Sequence, residues 1–181
     1  INTLVFLLLK NKCLGIKLKV RYNENMKCDF LVIGSSGMQG RIVTQDLLES
    51  GYKVCLADLY REGSEKNLSL HPGTHFEFLD LRELESVRDL IGRINASVII
   101  NCAEGDWNLD VYRVCLELGR SVIDLGSDIP MTKLQLSLSP RFEKLGLVAI
   151  TGCGSTPGIN NVMFNYVAES FAKIDTVELG F

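Results

Sequence analysis

The sequence has no excess of basic charge, no Cys-x-x-Cys pair and only two histidines, and each shortage closes off a class of function. A formal net charge of −3 leaves no basic field for nucleic acid or an anionic membrane surface, so any phosphate-binding element has to be local. The six cysteines, at 13, 28, 55, 102, 115 and 153, have neither the spacing of a zinc site nor that of a redox dithiol, and no metal site is expected. They read as reduced, buried thiols of a cytoplasmic protein. The apolar run in INTLVFLLLK is far too short to span a bilayer. It also lacks a basic segment ahead of it and a small-residue cleavage site behind it, so it does not read as a secretory leader. No internal repeat or low-complexity tract is visible.

What is present is the balance of a globular domain. The 181 residues are 46% hydrophobic and 23% charged, enough for one domain with a real core or for one domain and part of another. Residues 1–25 stand apart. Within them GIKLKVRYN alternates apolar and basic residues in the manner of an exposed edge strand, and Met26 directly precedes the first buried-strand pattern. The expectation is an extension over 1–25 that lies outside the fold, and a domain over 26–155.

From residue 28 onward, short apolar runs alternate with helical patterns. CDFLVIG (28–34), KVCLADL (53–59), HFEFLDL (75–81), SVIINCA (97–103), SVIDLG (121–126) and LVAITG (147–152) read as strands. Between them lie MQGRIVTQDLLES, with Ile42, Val43, Leu47 and Leu48 on one stripe and Gly51 as its stop, and RELESVRDLIGRI, with Leu84, Val87, Leu90, Ile91 and Ile94 at helical spacing. NLDVYRVCLELG closes at Gly119, and MTKLQLSLSPRFEKLG reads as a helix interrupted near Pro140. Continuous apolar strands alternating with helices predict an α/β fold, a doubly wound parallel sheet with helices on both faces. PGINNVMFNYVAESFAK then reads as a linker helix and IDTVELGF as a strand, together the start, over 156–181, of a truncated second α/β domain.

Gly34, Gly37 and Gly40 follow the first of these strands and open the first helix, the setting in which backbone N–H groups and the helix dipole meet a pyrophosphate. The spacing is GxxGxxG, one residue longer than GxGxxG, and the added residue is Ser36. Alone, the triplet fits a tight strand–helix turn as well as a phosphate cradle. Asp58 tips the balance, since it ends the second strand, 24 residues after Gly34, where a carboxylate accepts both ribose hydroxyls of an adenosine. Its charge favours NAD over NADP, while Arg61, three residues on, keeps a 2′-phosphate open. Asp80 and Leu81 close the third strand, where adenine is flanked. The whole reads as a Rossmann-type dinucleotide-binding domain.

The remaining strand ends carry NCAEGDWN, DLGSD and TGCGSTPGINN, rich in Gly, Ser, Asp and Asn. Asn101, Cys102 and Ala103 are placed to touch the cofactor, and Trp107 either walls the pocket or packs inside the fold. Thr156 reads as a helix cap with Pro157 at the first helical position. His71 and His75 lie on the adenosine side, so no histidine acid–base is expected. Asp124, Asp128, Glu104 and Cys153 remain, of which Asp124 and Cys153 stand out by position as catalytic candidates unless the group comes from a further domain. No Tyr-x-x-x-Lys pair is formed by Tyr112 or Tyr166, which counts against a short-chain enzyme acting alone. A non-catalytic NAD-sensing module shares the glycine loop and Asp58 but has no use for the polar later loops.

GSSGMQGRIVTQDLL, LADLYRE, VIINCAEGDWN, VIDLGSD and TGCGSTPGINNVM together resemble the saccharopine dehydrogenase-like family, with its saccharopine reductases and carboxynorspermidine and homospermidine synthase relatives. The resemblance covers residues 27–181, and DLG with GxxPGIxN is its most specific part. It implies an NAD(P)-dependent oxidoreductase acting on the CH–NH group of an amino acid or polyamine precursor, with hydride moving between nicotinamide and an imine carbon. It also implies a second α/β domain, inserted before the last Rossmann elements, that binds the small-molecule substrate and forms a homodimer. Carried onto this sequence, Ser36, Gly37, Met38 and Gln39 meet the pyrophosphate, Asp58 the ribose, and Asp80 and Leu81 the adenine. Asn101, Cys102, Ala103, Asp124 and Leu125 lie by the nicotinamide, and Asp124 and Cys153 face the substrate. The family motif often reads GxDPG, whereas Ser155-Thr156-Pro157-Gly158 lacks the acid. Without the second domain, these residues are expected to bind cofactor and not to turn over.

Overall fold

A strand covered on both faces needs apolar residues at every position, and FLVI is such a segment. The computed structural model describes residues 4–7, 18–20, 27–126 and 128–178. Leu4–Leu7 (β1) pairs antiparallel with Leu18–Val20 (β2) in a two-stranded sheet of its own, so the expected edge strand pairs with β1 and not with the main sheet. The expected domain start at Met26, Cys13 and the rest of the expected extension lie outside the described residues.

The main sheet is built from Phe30–Ile33 (β3), Val54–Asp58 (β4), His75–Phe78 (β5), Val98–Asn101 (β6), Ser121–Asp124 (β7) and Ala149–Ile150 (β8). Its order is β5-β4-β3-β6-β7-β8, and every pairing is parallel. The order reverses between β3 and β6, and a ligand crevice opens at such a switch, beyond the carboxyl ends of the strands.

The helices are Met38–Glu49 (α1), Glu65–Leu70 (α2), Leu84–Arg93 (α3), Asn108–Leu118 (α4), Ile129–Leu136 (α5), Ser139–Lys144 (α6) and Ile159–Ala168 (α7). Alternate strand residues face opposite layers. Leu31, Ile33, Cys55, Ala57, Ile99 and Val122 pack with Val87, Leu90 and Ile91 of α3, Val111, Tyr112 and Cys115 of α4, and Phe142 of α6. Val32, Leu56 and Ile100 pack on the other side with Val43, Leu47 and Leu48 of α1 and Leu68 of α2. The expected α1 stripe loses Ile42, which is exposed, because Gly40 and Thr44 are the residues turned inward. Gly119 ends α4 in the left-handed conformation, as its position predicts. Pro140 sits in the first turn of α6, which is why the expected long helix is two short ones.

Two expectations near the end are corrected. Gly158, not Thr156, precedes the first residue of α7, because Gly154 and Gly158 close the loop on itself and the Ile159 N–H reaches back to the Gly154 carbonyl. Residues 174–178 form no strand, since the segment beside them is helix α7 and no described strand pairs with their backbone; residues 179–181 lie outside the described residues. Helix α7 buries none of its residues, and Val162, Met163, Tyr166 and Val167 are exposed. No helix among the described residues is long and apolar enough to cross a membrane.

Candidate functional site

At the carboxyl ends of β3, β4, β5 and β6 lies a cleft of about 830 Å3. Its floor is the glycine loop. Gly34 has φ +76°, and a Cβ there would lie 2.6 Å from the Ala103 nitrogen, so the loop crosses the end of β6 backbone to backbone. A Cβ on Gly40 would meet the Gly34 carbonyl oxygen at 2.0 Å, which requires glycine in the first turn of α1. That helix opens with no side-chain cap and no acidic residue in its first turn, so its positive end is uncompensated where Gly37 and Gln39 line the cleft. Met38 and Gly40 belong to the same turn, but neither lines the cleft, and the Met38 side chain is exposed.

Asp58 ends β4 on the cleft wall. Its Oδ2 accepts the Ser36 N–H at 2.8 Å and its Oδ1 the Tyr60 N–H at 3.0 Å. Two backbone donors therefore fix the carboxylate, and its remaining lone pairs are free for a ligand. Arg61 does not line the cleft. Its Nε donates to Glu65 at 2.9 Å, and its guanidinium lies over the Phe76 ring, 5.5 Å from the centroid. Asp80 and Leu81 do line it, beside Arg82, which the sequence reading did not single out. Arg82 grips Asp80 through Nε and Nη2, at 2.9 and 2.6 Å, and this hydrogen bonding holds the Asp80 carboxyl down at about 2.

At the other end of the cleft, Cys102, Ala103, Glu104, Trp107 and Leu125 form the wall. Asn101 is buried behind it. Its Nδ2 donates to Asn108 Oδ1 at 2.7 Å, its Oδ1 accepts the Ala103 N–H at 3.2 Å, and Asn108 Nδ2 reaches the Gly126 carbonyl at 3.2 Å. This polar chain joins the loops after β6 and β7. Burial alone pushes the Cys102 thiol up to about 12, so it faces the cleft protonated.

Asp124 is fully buried and does not line the cleft. It accepts from Tyr112 Oη and Gln135 Nε2, each at 2.6 Å, from the Gly126 N–H at 2.7 Å and from the Gly152 N–H at 3.0 Å. Burial and the Asp124 bond push the Tyr112 phenol up. Cys153 lies apart from the cleft, with its side chain exposed and its N–H on the Asp124 carbonyl at 2.8 Å. Partial desolvation and then the nearby Asp124 charge push its thiol up from the ordinary value. The loop holding it is pressed onto the Asp124-Leu125-Gly126 turn, for a Cβ on Gly154 would lie 2.1 Å from the Leu125 carbonyl oxygen.

The same layout occurs in solved structures. Saccharopine dehydrogenase (L-Glu forming) from Saccharomyces cerevisiae superimposes with a TM-score of 0.64 at 17% identity, over 80% of this chain and 31% of its own. UDP-glucose 4-epimerase of Thermus thermophilus, a complex with NAD, gives 0.53 at 18% identity, over 70% of this chain and 54% of its own. The Citrobacter sp. triphenylmethane reductase complexed with NADP(H) gives 0.50 at 16%, over 66% and 47%. This is a Rossmann fold. The chain spans about a third of the length of the yeast enzyme and about half that of the other two. The model of the NAD dependent epimerase/dehydratase family matches residues 30–113 of this Rossmann sheet, short of half the chain. A comparison of the sequence with curated proteins gives no match.

Of the residues singled out from sequence, the fold brings Gly34, Ser36, Gly37, Gln39, Asp58, Asp80, Leu81, Cys102, Ala103 and Leu125 to one cleft. It sets Arg61, Asn101, Asp124 and Cys153 behind or beside that cleft. Tyr60, Glu62, Gly63 and Arg82 line it without having been expected. Tyr60 and Glu62 lie within LADLYRE, one of the segments of the family resemblance, and Gly63 stands out as a glycine inside a polar stretch.

Proposed function

We propose that this chain is the cofactor-binding part of an NAD-dependent oxidoreductase of the saccharopine dehydrogenase type. The observation that carries the dinucleotide reading is the pairing, in one cleft, of an uncapped helix start behind a glycine loop with a carboxylate fixed at the end of the next strand. A cradle that a Cβ would fill at Gly34 and Gly40, open to about 830 Å3, fits a dinucleotide in size and in charge. The loop N–H groups and the positive end of α1 hold the pyrophosphate, Asp58 the adenosine ribose, and Asp80 and Leu81 border the adenine. The fixed Asp58 charge repels a 2′-phosphate, and Arg61 is held away by Glu65 and Phe76, which favours NAD over NADP.

When bound, the nicotinamide supplies or takes up a hydride. The loops after β6 and β7 present Ala103, Glu104, Trp107 and Leu125 there and exclude water from one side. Transfer at a C–N bond of an amino acid or polyamine precursor is supported by the yeast neighbour and by the interlock of the Asp124-Leu125-Gly126 turn with the Gly152–Gly158 loop, the two segments that hold the most specific part of the family resemblance. In this reading residues 156–181 lead into a substrate-binding and dimer-forming domain, and the protein works in the cytoplasm. Asp124 holds the two loops together, and the proton donor comes from Glu104 or from that further domain.

Fluorescence titration of this chain with NADH and NADPH tests the reading. Saturable NADH binding, tighter than that of NADPH, is expected; binding of neither would overturn it.

A further inference from the structure

The stretch after β4 reads in sequence as a polar connection, yet it is seated on the glycine loop. Ser35 and Ser64 are fully buried, with their hydroxyls 3.1 Å apart. The Ser64 hydroxyl also lies 2.9 Å from Ser36 Oγ, and Ser36 Oγ donates to the Tyr60 carbonyl. Each hydroxyl has one proton, so the order of donation follows. Ser36 gives its proton to Tyr60, Ser64 gives its own to Ser36, and Ser35 gives its own to Ser64. The backbone follows the same path, because a Cβ on Gly63 would lie 2.0 Å from the Ser36 carbonyl oxygen. Buried Asn67 adds a tie from its Nδ2 to the Arg41 carbonyl of α1 at 3.0 Å. Glu62 and Gly63 border the cleft, whereas Ser64 does not.

We infer that Ser64 is a positioning residue for the dinucleotide: it touches no ligand and sets the shape of the glycine loop through Ser35 and Ser36. The inference rests on the dinucleotide reading above. A loop that binds phosphate through its N–H groups gains affinity from being held in shape before the ligand arrives. Without the Ser64 hydroxyl, Ser36 loses the donor that orients it, and Ser35 keeps a buried proton with no acceptor. The first loss acts on the loop, and the second acts on stability.

Two variants separate these effects. Ser64→Ala is expected to weaken NADH binding about tenfold and to lower Tm, on the scale of one buried hydrogen bond. Ser35→Ala combined with Ser64→Ala removes the stranded proton, so Tm returns most of the way while NADH binding stays weak. Hydrogen exchange of the Ser36 and Gly37 amides, followed without ligand, is expected to quicken in both variants. Affinity that recovers together with Tm, or exchange that does not change, would overturn the positioning role while leaving the dinucleotide reading intact. A wild-type chain that binds neither NADH nor NADPH would overturn that reading and this inference with it.

Discussion

The Ser36 N–H donates to Asp58 Oδ2 at 2.8 Å, so the acid that ends the second strand of the Rossmann unit also holds the glycine loop after the first. One carboxylate thus ties together the two features that read in sequence as independent signs of a dinucleotide. Its other oxygen is held by the Tyr60 N–H, and neither oxygen can swing away without leaving a backbone donor unpaired.

Asp58→Ala is therefore expected to act twice. It removes the ribose acceptor, and it frees the Ser36 turn. Hydrogen bonds to a charged group are each worth about 1.5–3 kcal/mol, so NADH affinity should fall by about tenfold or more. NADPH should lose less, because the repulsion of its 2′-phosphate disappears with the charge. Parallel fluorescence titrations check this; equal losses for both nucleotides would mean that Asp58 acts through the loop alone.

The two kinds of glycine in this domain should respond differently to alanine. Gly40→Ala drives a Cβ to 2.0 Å from the Gly34 carbonyl oxygen, a backbone atom that cannot rotate aside. The expected cost is about 1–3 kcal/mol, with loss of NADH binding, since the clash lies in the cradle itself. Gly51→Ala meets nothing within 4 Å and bears only the strain of φ +86°, about 1 kcal/mol. Urea denaturation and NADH titration of the pair should show both variants weakened in stability and only Gly40→Ala weakened in binding.

The sheet was legible because burial on both faces leaves central strands such as Phe30–Ile33 with no polar interruption, and the helices because Gly119 and the Leu84–Ile94 spacing mark their ends and faces. The cleft residues at strand ends were legible for the same reason, since parallel topology dictates where strand ends meet. What composition hid was tertiary in origin. Nothing local tells that Arg61 lies over Phe76, or that a hydroxyl on α2's approach meets two on the glycine loop. Asp124 was visible as a strand-end acid, but the four donors around it come from segments spread between Tyr112 and Gly152.

Alkaline pH should destabilise the fold through its thiols. Burial raises both Cys102 and Cys115 from 9.0 to about 12, so the folded chain holds these protons more tightly than the unfolded chain. Their contribution is complete below pH 9 and is lost as pH rises toward 12. Urea midpoints measured at about pH 8, 9.5 and 10.5 should fall along that series, and less steeply in the Cys102→Ala, Cys115→Ala double variant. Among the described cysteines, exposed Cys153 should react first with a thiol reagent at about pH 8. A double variant with an unchanged slope would remove these two thiols from the account.

Asp124→Asn tests whether this carboxylate joins the loops after β7 and β8. In the wild type, four donors converge on one carboxylate: Tyr112, Gln135 and the N–H groups of Gly126 and Gly152. An amide keeps one oxygen for the two N–H groups, while its NH2 faces Tyr112, which can accept it by giving its own proton to the Ile150 carbonyl, and Gln135 Nε2, a donor it cannot serve. The donors are all neutral, so no charge is stranded, and a buried donor left unpaired costs about 1–3 kcal/mol. The variant should be destabilised in urea, and the loops after β7 and β8 should exchange their amide protons faster. Glu104→Gln, which alters a cleft-lining group outside that network, should keep wild-type stability. If Asp124→Asn were as stable as the wild type, the carboxylate would not be what joins the two loops.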